Sequence, residues 1–158
     1  MSQTGIGDSP TATSSPSTDS GFSALVEQAR VTLPPGRVGS QTRGRWIGTD
    51  GVTQDLRSGD GDEWYVKARQ LAAGFPPQLR AASRLAVHLE VKFAVRMREE
   101  GRQREKIVVD RQVCGQRPFD RTAPFTCDKF LDRFLPPGAV LTVVEPDGTR
   151  RVYRGKSE

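Results

Sequence analysis

The stretch AVLTVVEPDGTRRVYRG, residues 139–155, decides the fold. An apolar, β-branched run leads into Pro146-Asp147-Gly148, and a second run rich in Arg, Val and Tyr leaves it. Such runs suit a pleated strand, and Asp-Gly suits a tight reversal, so the stretch reads as strand, turn, strand. A turn this short has no room for a crossover, which makes these last two strands antiparallel.

Working outward, TCDKFLDRFL at 126–135 reads as a helix with Thr126 as N-cap and Pro136-Pro137-Gly138 past its end. RQVCGQRPFDRTAPF, residues 111–125, contains two prolines and no period, and reads as a loop. KIVVD at 106–110 is a short apolar strand. A helix is expected from about Arg84 to Glu100, with Gly101 as its C-terminal cap. Before it, EWYVKARQLAA at 63–73 has helical spacing and stops at GFPP. In TRGRWIGTDGVTQDL, residues 42–56, Asp-Gly separates strands expected near Arg45 to Gly48 and Val52 to Leu56. FSALVEQARVTL at 22–33 reads as a short amphipathic helix ended by Pro34-Pro35-Gly36. Hairpin, helix, helix, strand, helix, hairpin is the order of an α/β sheet covered by helices.

The 158 residues suffice for one domain with a hydrophobic core and a short appendage. Residues 1–20 hold ten Ser or Thr and read as a disordered leader, 21–36 as a short helix and linker, and 37–158 as the domain. The leader carries Asp8 and Asp19 and no base, so the remainder has 24 bases against 17 acids, a formal +7. That surplus suits a polyanion such as nucleic acid, and equally a solvated basic surface. No stretch is long and apolar enough for a membrane span, and no secretory signal pattern opens the chain. Those features fit either a cytoplasmic protein or an effector delivered by a specialised secretion system, and give no sign of a membrane partner or a small organic cofactor.

His88 is the only histidine, and it stands two residues before Glu90. On an ideal helix, at about 100° per residue, Phe93, Ala94 and Met97 fall within roughly 60° of Glu90, while Lys92, Arg96 and Glu99 lie opposite. A carboxylate in the middle of an apolar arc is costly without a partner. One explanation is a buried arginine or capped backbone donors; the other is a general acid/base in a pocket, where burial raises the carboxyl pKa toward working pH. His88 lies about 200° from Glu90, yet side chains in a first turn lean toward the N-terminus, so both address a point beyond the helix end.

Cys114 and Cys127, with twelve residues between them, could form a disulfide, stay separate thiols or share a metal. Cys127 follows the cap Thr126, where the helix dipole and free N–H groups favour thiolate. One imidazole and two thiolates, His88, Cys114 and Cys127, make a three-ligand set that leaves the fourth tetrahedral position of Zn²⁺ open. Glu90, which is not a ligand, completes the pattern of H-x-E followed by a cysteine pair.

These segments resemble the zinc nucleoside and nucleobase deaminases, and among them the DddA-like deaminases of bacterial toxin systems. The likeness rests on LPPG at 33–36, the 42–51 hairpin, HLEVKFAVRMREEG at 88–101, KIVVD at 106–110, 127–148 and RVYRG at 151–155. It implies an α/β, cytidine deaminase-like three-layer fold with a five-stranded mixed sheet whose last two strands are antiparallel. It also implies one catalytic Zn²⁺ on His88, Cys114 and Cys127, Glu90 as proton shuttle, and conversion of cytosine to uracil in DNA, single- or double-stranded. DNA is the implied partner, with a cognate immunity protein as a second. The family's second motif is P-C-x-x-C, whereas here the cysteines enclose GQRPFDRTAPFT and residue 124 is proline. Arg117, Phe119, Arg121 and Phe125 in that loop suit phosphate contact and base stacking, or simply a basic surface. The competing reading is a non-catalytic basic module that binds nucleic acid. A nuclease toxin is a second rival, but HNH-type and H-E-x-x-H sites need more histidines than the one present.

Overall fold

A computed structural model of the chain describes residues 21–37 and 39–156. The leader expected at 1–20 lies outside the described residues. Helix α1 spans 21–32. It is followed by β1 (Arg43–Ile47), β2 (Thr53–Arg57), α2 (Glu63–Ala73), a 3-10 segment (Pro77–Val87) and α3 (Leu89–Glu100). β3 (Arg104–Val109), α4 (Cys127–Phe134), β4 (Val140–Val144) and β5 (Arg150–Arg154) complete the order.

The strands form one sheet in the order β2-β1-β3-β4-β5. Only β3 and β4 are parallel, with Ile107 opposite Val143; the other neighbours are antiparallel. A parallel pair needs a crossover, and the 110–139 segment carrying α4 supplies it. β4 and β5 pair antiparallel, Val140 against Arg154 and Val144 against Arg150, as the Pro-Asp-Gly turn requires.

Strand alternation sorts the side chains into two layers. On one face Ile107, Val109, Leu141, Val143 and Tyr153 pack with α2, the 3-10 segment, α3 and α4. On the other, Ile47, Val108 and Val144 meet Val26 and Ala29 of α1. The sheet is thus sandwiched between α1 and the other helices, an α/β deaminase-like architecture. Its core includes Phe93, Phe134, Leu131 and Met97, all of them nearly or wholly without exposure. Among the described residues no helix is long and apolar enough to cross a membrane.

The helix expected from Arg84 to Glu100 divides at His88. Residues Pro77–Val87 run as a 3-10 segment, and α3 begins only at Leu89. His88 has φ −75° and ψ 139°, the extended geometry of an N-cap, and its N–H closes the 3-10 turn on the Leu85 carbonyl at 2.9 Å. The i, i+3 spacing of Ala82 and Leu85 fits either helix type, which is why periodicity could not locate the break. Gly101 does end α3, in the left-handed region at φ 69°. Lys92, expected opposite the apolar face, is instead buried at 5 % exposure because the β2–α2 connection covers it.

Candidate metal centre and pocket

The break at His88 frees its side chain from the helix side and places it at the mouth of α3, with Glu90 in the first turn. α4 starts at Cys127, and the chain between β3 and α4 returns Cys114 to the same point. Nitrogen of His88 and the sulfurs of Cys114 and Cys127 all lie within 4.8 Å of one another. Donors of one tetrahedron with bonds of about 2.0–2.3 Å sit roughly 3.5–3.8 Å apart, so shifts of about an ångström or less let one ion collect all three. The two cysteines are free thiols, not a disulfide.

Two backbone bonds explain how the long loop closes. The Cys127 N–H donates to Cys114 Sγ at 2.9 Å, and the Asp128 N–H donates to the Cys114 carbonyl at 3.0 Å. Cys114 therefore does the capping expected of Thr126, whose side chain makes no cap bond and whose Oγ1 is buried without a partner. Gly115 permits the approach: it has φ 102°, and a Cβ there would meet Thr126 Oγ1 at 2.6 Å. One residue earlier, the Val113 N–H donates to Glu145 Oε2 at 2.9 Å, an oxygen that also accepts from Arg151 Nε at 2.9 Å. Glu145, at the end of β4, is fully buried.

The helix-start N–H expected to favour a Cys127 thiolate thus points at the Cys114 sulfur. The hydrogen bond with Cys127, and then that with His88, outweigh burial and lower the Cys114 thiol to about 5. Cys127 goes the other way: full burial and the Cys114 sulfur beside it push its thiol well above the usual range. For His88, burial works against the charged ring, but the Cys114 hydrogen bond and the charges of Cys114 and Glu90 raise its pKa overall. An imidazole between a thiolate and a carboxyl, next to a second thiol, is a donor set that a soft or borderline cation satisfies.

Glu90 is 4 % exposed, and among the described residues no lysine or arginine lies within ion-pair distance of it. Burial raises its carboxyl pKa, and the charge of His88 offsets only part of that. Of the explanations open in the sequence, the arginine partner is absent among the described residues, while the carboxyl does accept a hydrogen bond from its own backbone N–H, too weak to offset burial. A buried carboxyl whose pKa is raised, beside a candidate metal set, suits a proton shuttle.

A cavity of about 240 Å³ opens on His88 and is walled by Thr42, Ser58, Gly59 and Val87. None of the other wall residues was legible as functional; only the Ser-Gly-Asp-Gly run at 58–61 marks a turn there. The loop residues separate into two kinds. Phe119 is 78 % exposed with the Arg117 guanidinium 4.6 Å from its ring centroid, and Arg121 is exposed. Phe125 is half-buried, stacks on Phe130 at 5.3 Å and packs against the core. Arg117 is tied to the buried Asp120 through Nε at 2.7 Å, which fixes the base of the loop.

A search of curated proteins finds no match to the chain. A family model described as SCP1.201-like deaminase, however, matches residues 18–158, a span that includes both sheet hairpins, the His88 cavity and all three candidate metal ligands. The chain belongs to the SCP1.201-like deaminase family.

Proposed function

We propose that this protein is a zinc-dependent DddA-like deaminase that converts cytosine to uracil in DNA. The observation that carries the reading is the buried, unpaired Glu90 beside the His88, Cys114 and Cys127 donors, where a cavity opens on His88. Zinc held by those donors would supply Lewis acidity that makes water acidic near neutral pH. Glu90 accepts a proton from the attacking water and passes it to ring N3, then delivers the second to the exocyclic nitrogen. The new C4–O bond replaces C4–N4, and ammonia leaves. The elevated pKa of Glu90 matches it to this two-way traffic, since it must both accept and release protons.

The basic balance of the chain and the exposed Phe119 with Arg117 on the loop between the cysteines support DNA as substrate. A splayed strand would meet an aromatic surface and a cation there.

The test is uracil release from matched single- and double-stranded oligonucleotides, with metal analysis of the same preparation. Wild-type protein should hold one zinc per chain and form uracil. Glu90→Ala should keep the zinc and the fold and lose activity by about 10²-fold or more. Zinc-free, inactive wild-type protein would favour the non-catalytic nucleic-acid-binding module, and full turnover by Glu90→Ala would remove Glu90 from the mechanism.

A further inference from the structure

The β2–α2 connection walls the His88 cavity through Ser58 and Gly59, yet it lies in neither the sheet nor a helix. Its anchor is Lys92. The ammonium donates to the Gly59 carbonyl at 3.0 Å and pairs with Asp62 Oδ2 at 2.8 Å, while its side chain is 6 % exposed. The backbone N–H of the same residue donates to the His88 carbonyl at 3.0 Å, and the Gly59 N–H donates to the Val87 carbonyl at 2.8 Å. Asp62 is also shared: its Oδ1 caps α2 by accepting from the Tyr65 N–H at 3.1 Å. Gly59 sits at φ 119°, a left-handed geometry that favours glycine, and a Cβ there would meet Gln41 Nε2 at 2.6 Å.

Burying an ammonium is costly, and a methionine would fill this space without that cost. What the lysine adds is a fixed distance between the wall and the His88 end of α3. Resting on the deaminase reading above, we propose that Lys92 is a positioning residue that holds Ser58 and Gly59 against the His88 cavity and thereby sets substrate fit. It does not reach His88, Glu90 or the cysteines with a side-chain bond among the described residues, so its effect falls on binding more than on chemistry.

The test compares Lys92→Met, Lys92→Arg and Asp62→Asn in the zinc-loaded full chain. Asparagine keeps a good α2 cap while removing the ion pair. For Lys92→Met, KM for a cytosine-containing oligonucleotide should rise roughly tenfold with kcat changed less than about twofold. Zinc content should stay at the wild-type level. Asp62→Asn should shift KM in the same direction by less, and Lys92→Arg should recover part of the loss. Amide exchange at Gly59 should quicken in Lys92→Met with or without substrate. A wild-type KM in folded Lys92→Met, or normal kinetics per zinc-loaded chain with only a lower melting point, overturns the proposal. If wild-type protein releases no uracil, the deaminase reading fails; unchanged Gly59 exchange then overturns the anchor as well, and faster exchange upholds it. Should Lys92→Met not fold, the Asp62→Asn and Lys92→Arg kinetics decide by the same criteria.

Discussion

The hydrogen bonds with the Cys127 thiol and His88, with a smaller share from the first N–H of α4, lower the Cys114 thiol, while burial raises that of Cys127, so negative charge in the pair favours Cys114. Binding a divalent ion to both sulfurs must therefore expel at least the Cys127 proton, and its affinity should rise about tenfold per pH unit for each proton released. Calorimetry of zinc uptake in buffers of different protonation enthalpy counts those protons; uptake without proton release would contradict a Cys127 ligand. Replacing Cys114 by serine removes both the thiolate and the sulfur that caps α4. Its zinc content should fall far below one per chain, and its melting point should fall too, by about 2–4 °C per kcal/mol lost in a chain of this size. Cys127→Ser leaves the α4 cap in place, so it should lose zinc with the smaller drop in melting point.

Between elements, the site depends on α3 and α4 staying in register. Arg98 of α3 donates to the carbonyls of Arg133, Phe134 and Leu135, the last turn of α4, at 3.3, 3.3 and 2.7 Å. A guanidinium at a helix C-terminus satisfies orphan carbonyls and complements the dipole. Arg98→Met should cost about 2 kcal/mol, read as a melting point lowered by about 4–8 °C. At the other end of the cysteine loop, Glu145 joins the Val113 N–H to Arg151, with its second oxygen buried and unpartnered. Glu145→Ala should leave the Val113 amide unsatisfied beside Cys114. Faster zinc loss to a chelator at equal pH should follow, checked by the rate of metal release.

Across the whole molecule, net charge bears on the proposed DNA substrate, since a basic surface attracts a polyanion. With a formal +5 over the chain, binding to an oligonucleotide should weaken as salt rises, by tenfold or more between roughly 50 and 200 mM if several phosphates are contacted. Phe119→Ala, which removes a largely exposed ring, should cost about 1–3 kcal/mol of that binding and leave the melting point nearly unchanged. Equal binding by the variant would make the loop a plain basic surface.

The sequence by itself determined the elements whose cause is local. Asp-Gly turns fix both hairpins, and Gly101 and Pro136 end α3 and α4. The grouping of His88, Glu90 and the cysteines was legible because one histidine and two cysteines leave few ways to build a metal site. Only the tertiary structure decided the rest. The break at His88 depends on packing of the 3-10 segment, which has the same i, i+3 period as a helix. The lowered thiol is Cys114 and not Cys127, because folding brings the Cys127 thiol, His88 and the first N–H of α4 onto the Cys114 sulfur and buries Cys127 completely. The burial of Lys92 arises from a loop thirty-odd positions upstream, and such a contact leaves no trace in local periodicity. Spacing along the chain encodes which face a residue shares; what covers that face is set by distant segments folding back onto it.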